Sequence, residues 1–199
     1  MLPHIDFKPD IIHCNDWQSA LTPVYYTTMY SHWSGYENIK TVFTIHNIQY
    51  QGVYGKELIP EVLGLPEECT NIIEYDGDVN FMKGAIETAN RITTVSPSYA
   101  NEILDPWYAH GLDTILRERS WKLSGILNGI DTESYNPATD PDIFAHYSAE
   151  DFSAKADNKR ALQELMGLPQ RADVPLLGIV TRLAGHKGLD LVRAVLDEM

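Results

Sequence analysis

Short apolar runs alternate with stretches of helical spacing along this chain. Residues 10–13 form a compact apolar run after Pro9 and read as a buried strand. Cys14-Asn15-Asp16-Trp17 follows, with Asn15 or Asp16 placed to cap a helix over 18–30; Pro23 inside it predicts a kink or the helix's true start. Residues 40–45 are β-branched and apolar, a second strand that runs directly into His46-Asn47. The stretch 48–75 carries several Gly and Pro residues and reads as a long connection, which in a compact domain is more often functional than idle. A helix is expected over 80–89, with Asp78 near its start, and a third strand over 91–95. Ser96-Pro97 then supplies the N-cap and first position of a helix reaching about residue 104. A short helix over 113–119 precedes a fourth strand, 123–127, that ends at Asn128-Gly129. Residues 130–148 have the Pro, Asp, Asn and Thr content of a loop. A charged helix over 154–166 closes on Gly167 in the left-handed position past its end. An apolar run, 175–180, reads as a fifth strand; a tight loop holding Arg182 and Lys187 follows, then a helix over 189–199.

Strands that alternate with helices imply parallel pairing with crossover connections, hence an α/β fold. The first four strands suffice for much of one sheet. Beyond the loop, one strand and two helices cannot bury their own faces, so the expectation there is the opening of a second domain. The division is residues 1–128, a linker at 129–150, and 151–199.

Composition narrows the function without naming it. The chain has 199 residues, of which 44% are hydrophobic, enough for a sizeable core. Its net charge of −13 argues against a nucleic-acid backbone or an anionic membrane as the main partner, because both demand clustered positive charge. Cys14 and Cys69 have no CxxC spacing and read as reduced thiols of a cytoplasmic protein. No apolar run approaches a membrane span, the first residues do not form a signal peptide, and the histidines show no metal-ligand spacing, so no metal is expected.

Polar residues gather where strands end: Asn15 and Asp16, His46 and Asn47, Ser96, Asn128, Arg182. In a parallel sheet these positions share one edge, where ligands of open α/β sheets bind. Each has a plain alternative. Ser96 and Asp16 suit helix capping, and Asp16 equally suits a sugar hydroxyl. His46 fits a core histidine bonded to a carbonyl as well as a ligand contact. Asn128-Gly129 is a turn, a hinge or a cleft residue. Arg182 and Lys187 bracket the start of a helix, where a cation is unfavourable unless an anion sits beside it, so a phosphate or diphosphate is the natural guest.

Five segments carry a family resemblance in order and spacing: Asn15-Asp16-Trp17, His46-Asn47-Ile48-Gln49-Tyr50-Gln51-Gly52, Val95-Ser96-Pro97-Ser98-Tyr99, Gly125-Ile126-Leu127-Asn128-Gly129-Ile130-Asp131, and Thr181-Arg182-Leu183 with Lys187-Gly188. The chain resembles the bacterial glycogen synthases, ADP-glucose-using relatives of plant starch synthases, over essentially all its length. The resemblance implies a GT-B fold of two Rossmann-like domains and retaining transfer of glucose from ADP-glucose to the non-reducing end of an α-1,4-glucan. It implies no cofactor and no metal. By resemblance Arg182 and Lys187 bind the donor diphosphate, His46 contacts the glucosyl unit at its 6-hydroxyl with Asn128 beside it, and Asp16 lies near the sugar or acceptor. The family's Lys-Thr-Gly-Gly-Leu donor loop and its Glu-containing Pro-Cys-Gly-Leu region do not occur here. The expectation is therefore an internal piece, with the parallel sheet incomplete at both ends and no transferase activity by itself. A non-catalytic glucan- or phosphate-binding piece, or a GT-B enzyme with another nucleotide-sugar donor, are the rival readings.

Overall fold

A computed structural model describes residues 4–198 and divides the chain into two units, one ending at Gly129 and one beginning at Ile130. In the first unit the order is β1 (Ile11–Asn15), α1 (Asp16–Ser19), α2 (Leu21–Tyr25), β2 (Lys40–Ile45), β3 (Val53–Tyr54), α3 (Thr70–Ile73), β4 (Glu74–Tyr75), β5 (Asp78–Asn80), α4 (Phe81–Thr88), β6 (Arg91–Thr94), α5 (Pro97–Glu102), α6 (Asp113–Glu118) and β7 (Leu123–Gly125). The second unit holds α7 (Lys155–Leu165) and α8 (Leu189–Val195).

The main sheet has the order β1-β2-β6-β7, all parallel. Because this order advances in one direction, right-handed crossovers bring the connecting helices to one face. Side-chain alternation shows that face: Cys14, Phe43, Ile45, Ile92 and Thr94 are buried, with Met82, Ala85 and Ile86 of α4 in the same core. The opposite face is more polar. There His13 Nε2, Thr44 Oγ1 and Thr93 Oγ1 form a row of hydrogen bonds at 2.7 and 2.6 Å across three strands, and Ile11 is exposed.

The long connection 48–75 is structured. It supplies β3 and β4, which flank β5 in a small antiparallel sheet of order β3-β5-β4 that the apolar pattern did not announce. Strands of two or three residues carry too little periodicity to be read. The helix expected over 18–30 is broken into α1, α2 and a π-helical turn, Tyr26–Tyr30. Pro23 has no N–H for the Ser19 carbonyl, and the break falls there, between α1 and α2. The expected Asn15 or Asp16 side-chain cap of this helix is not made. Asn80 caps α4 by accepting from Lys83 N–H at 2.9 Å. Ser96 caps α5 as expected, its Oγ accepting from Tyr99 N–H at 2.9 Å, with Pro97 at the first position.

Two lysines are buried, Lys83 on α4 and Lys122 against the end of that helix. Lys122 Nζ donates to the carbonyls of Glu87 and Ala89 at 3.0 and 2.7 Å, satisfying acceptors that the helix's end leaves free. Its burial pushes the ammonium down to about 8. Lys83 donates to the Asn71 carbonyl, and burial lowers it too, partly offset by Glu87. Glu87 also accepts from Arg119, with ion-pair atoms 2.7 Å apart.

In the second unit α7 ends as expected: Gly167 has φ 65°, Leu168 N–H bonds the Gln163 carbonyl and Gly167 N–H that of Glu164. The strand expected over 175–180 is not formed. A strand exists only against a ladder partner, and among the described residues none pairs with it; Leu177, Ile179 and Val180 are exposed. Residue 199, the last of the expected final helix, lies outside the described residues. No helix among them is long and apolar enough to cross a membrane.

Candidate functional site

The parallel sheet delivers Asn15 and Asp16 from β1, and His46 and Asn47 from β2, to its carboxyl edge. Asp16 sits at φ 53°, a left-handed conformation that costs a residue with a side chain on the order of 1 kcal/mol. Its carboxylate bonds across the sheet: Oδ1 accepts from His46 N–H at 2.8 Å and from Asn47 N–H at 3.4 Å. The ring of His46 is held too, with Nε2 3.0 Å from Asn15 Oδ1. Consecutive residues of β1's exit thus grip the backbone and the ring tip of the residue leaving β2.

The loop beyond His46 is tied down along its length. Asn47 Oδ1 accepts from Gln49 N–H at 3.0 Å. Gln51 Nε2 donates to the carbonyls of Ile48 and His110, and Gln51 Oε1 accepts from Asn80 Nδ2 at 2.6 Å. The Gly52 carbonyl accepts from Phe81 N–H at 3.1 Å, while Gly52 itself has φ 68°. A Cβ there would stand 2.6 Å from Trp17 Cε3, so only glycine permits both the turn and the tryptophan's approach.

Beside this grip lies a hollow of about 350 Å³ lined by Asp16, Trp17, Gln18, Asn47 and Tyr50. Trp17 is backed by Tyr54 and Phe81, with ring centroids 6.2 and 6.5 Å away, and Tyr50 is half exposed. Flat aromatic surface next to a carboxylate and amides suits a polyhydroxylated ring, whose C–H faces stack while its hydroxyls bond.

Of the residues singled out from sequence, the structure brings Asp16 and His46 into contact. Ser96 spends its hydroxyl on α5. Asn128 is exposed, three residues beyond β7, and its side chain makes no hydrogen bond among the described residues. Arg182 and Lys187 belong to the second unit. Lys187 closes a 3-10 turn, Gly185–Lys187, and Gly188 at φ 68° leads into α8; both cations are exposed and neither forms an ion pair among the described residues. Trp17 and Tyr50 were not singled out as lining residues, although each follows a polar strand end within a few positions, which is the signal that would have found them. Among the described residues no group of three or more His, Cys, Asp or Glu is placed to hold a metal ion.

Residues 1–118 match the family described as the starch synthase catalytic domain. The chain belongs to that family. It is 47% identical over its whole length to the glycogen synthase of Alkaliphilus metalliredigens (strain QYMF) and 46% identical to that of Clostridioides difficile (strain 630). It spans 42% of the length of each of these relatives. Among solved structures it is similar to the catalytic domain of starch synthase IV from Arabidopsis thaliana bound to ADP and acarbose, with a TM-score of 0.84, 39% identity, and coverage of 96% of this chain and 40% of that one. The fold is therefore the parallel α/β fold of a starch synthase catalytic domain, of GT-B type.

Proposed function

We propose that this starch synthase family chain serves a retaining hexosyltransferase that moves glucose from ADP-glucose to the non-reducing end of an α-1,4-glucan, in glycogen synthesis in the cytoplasm. The observation that carries the proposal is the 0.84 TM-score, at 39% identity, to a catalytic domain that holds ADP and acarbose. The relatives named glycogen synthase, at 46–47% identity, support glycogen as the product.

On this reading the hollow beside Asp16 receives sugar. His46 meets the 6-hydroxyl of the transferred glucose, with Asn128 beside it, and Asp16 lies against the sugar or the acceptor. Arg182 and Lys187 take the diphosphate. As the glycosidic bond to the diphosphate stretches, negative charge grows on the leaving oxygens, and two cations placed for that charge stabilise the transition state more than the ground state. No cofactor or metal is called for.

The test is transfer of labelled glucose into glycogen by the full-length protein. ADP-glucose should serve as donor, and Lys187→Ala should lower turnover by at least about a hundredfold, the scale of losing a charge-stabilising group. Transfer from UDP-glucose but not ADP-glucose would sink the donor assignment, and a wild-type rate in Lys187→Ala would sink the leaving-group role.

A further inference from the structure

We infer that Asn15 is a positioning residue that fixes the tautomer and orientation of His46, so that His46 offers its Nδ1 lone pair to a hydroxyl of the bound sugar. The inference rests on the sugar-contact reading of His46 and adds a residue and a hydrogen-bond polarity to it.

The strand register places the pair. Asn15 stands opposite Thr44 in the β1–β2 ladder, and His46 lies two positions beyond Thr44. Side chains two apart share a face of a strand, so Asn15 and His46 project on the same side of neighbouring strands. The atom of Asn15 that meets the ring is Oδ1, 3.0 Å from Nε2. An amide oxygen only accepts, so Nε2 carries the hydrogen and Nδ1 of the neutral ring is left with its lone pair. Among the described residues Nδ1 makes no hydrogen bond. A sugar hydroxyl meeting Nδ1 must therefore donate.

Both partners of this bond are held from behind. The Asn15 carbonyl accepts from Ser19 Oγ at 2.7 Å, which ties the residue to α1. The His46 backbone N–H is held by Asp16 Oδ1 at 2.8 Å. His46 is exposed, so the Asp16 bond to its backbone and the Asn15 bond to its ring are the contacts that bias the rotamer and tautomer of the imidazole. Had Nδ1 carried the proton, the same ligand oxygen would have to offer a lone pair, and the hydrogen-bond direction at that hydroxyl would reverse.

The test reads the ring directly in the 199-residue chain. Long-range proton–nitrogen NMR of the uniformly 15N-labelled protein, with His46 assigned by its disappearance in His46→Gln, reports which nitrogen is protonated at a pH where the ring is neutral. The wild type should show the Nε2–H form alone. In Asn15→Ala the two nitrogen shifts should move toward each other, as the forms mix. In Asn15→Asp a carboxylate oxygen accepts the same bond and should restore the wild-type separation. A wild-type ring protonated at Nδ1, or an Asn15→Ala spectrum identical to wild type, overturns the inference. Failure of glucose transfer would remove the sugar and leave the tautomer result standing, so the two readings fail separately.

Discussion

Lys122 makes stability depend on pH in a direction opposite to that of the usual surface lysine. Its side chain is 4% exposed, and its ammonium sits on two carbonyls at the end of α4. Burial lowers it from its ordinary 10.5 to about 8, which corresponds to about 3 kcal/mol of preference for the neutral form in the folded chain. That figure is a ceiling, because two carbonyl acceptors at a helix C-terminus favour the charged form. Below pH 8 both states keep the proton and the folded state bears the whole penalty. Between 8 and 10.5 the folded chain has released the proton while the unfolded chain still holds it, so stability rises with pH through that window. The perturbation is Lys122→Met, which removes the titration. All four tryptophans, at 17, 33, 107 and 121, lie in the first unit, so their fluorescence during urea unfolding reports that unit alone. The unfolding free energy of the wild type minus that of Lys122→Met should rise by up to about 3 kcal/mol between pH 7 and 10.5. Taking the difference cancels the other shifted groups of the alkaline range: Lys83, lowered by burial, and Cys14, Tyr25, Tyr26 and Tyr75, raised by it. A flat or falling difference would show that Lys122 stays charged in the fold and refute the reasoning.

Substitutions at two positions test how the elements around the sheet edge are held. Gly125→Ala would place a Cβ 2.1 Å from the Ser96 carbonyl oxygen, and because that atom is backbone it cannot step aside; a loss of about 3 kcal/mol, at the upper end for overpacking, is expected in urea melts, and a wild-type midpoint would show that β7 and the start of α5 can separate freely. Ser96→Ala removes the Tyr99 N–H partner and should cost about 1 kcal/mol by the same measurement, whereas Ser96→Asp, which can still cap, should lie close to wild type.

The sequence revealed most where a single residue imposes its own geometry. Residues 40–45 were read as a strand and form one over that span, because β-branched side chains and a polar exit leave little choice. Gly167 and Ser96-Pro97 ended and began helices where expected, since each satisfies backbone groups locally. What could not be read depended on distant partners. Residues 175–180 have the composition of a strand but no ladder among the described residues, so composition alone did not decide their state. The small antiparallel sheet is built from strands too short for a period to appear. Asp16 suited a helix cap as well as a sugar hydroxyl, and its carboxylate accepts from the backbone of His46, 30 residues away and just past β2.

That last case links the fold to the site. A residue at the exit of a parallel strand can use its side chain for its own helix or for the neighbouring strand's exit, but one oxygen seldom serves both. Asp16 adopts a left-handed backbone, leaves α1 without a side-chain cap, and places Oδ1 on His46 and Asn47. The cost of the conformation and the missing cap is each on the order of 1 kcal/mol. Two backbone N–H groups donating to the carboxylate offset this and also tie the loops after β1 and β2 to each other. Oδ2 makes no hydrogen bond among the described residues, and Asp16 lines the aromatic hollow. The arrangement gives up local helix stability for a fixed relation between Asp16 and His46, the two groups that the proposed function sets against the sugar.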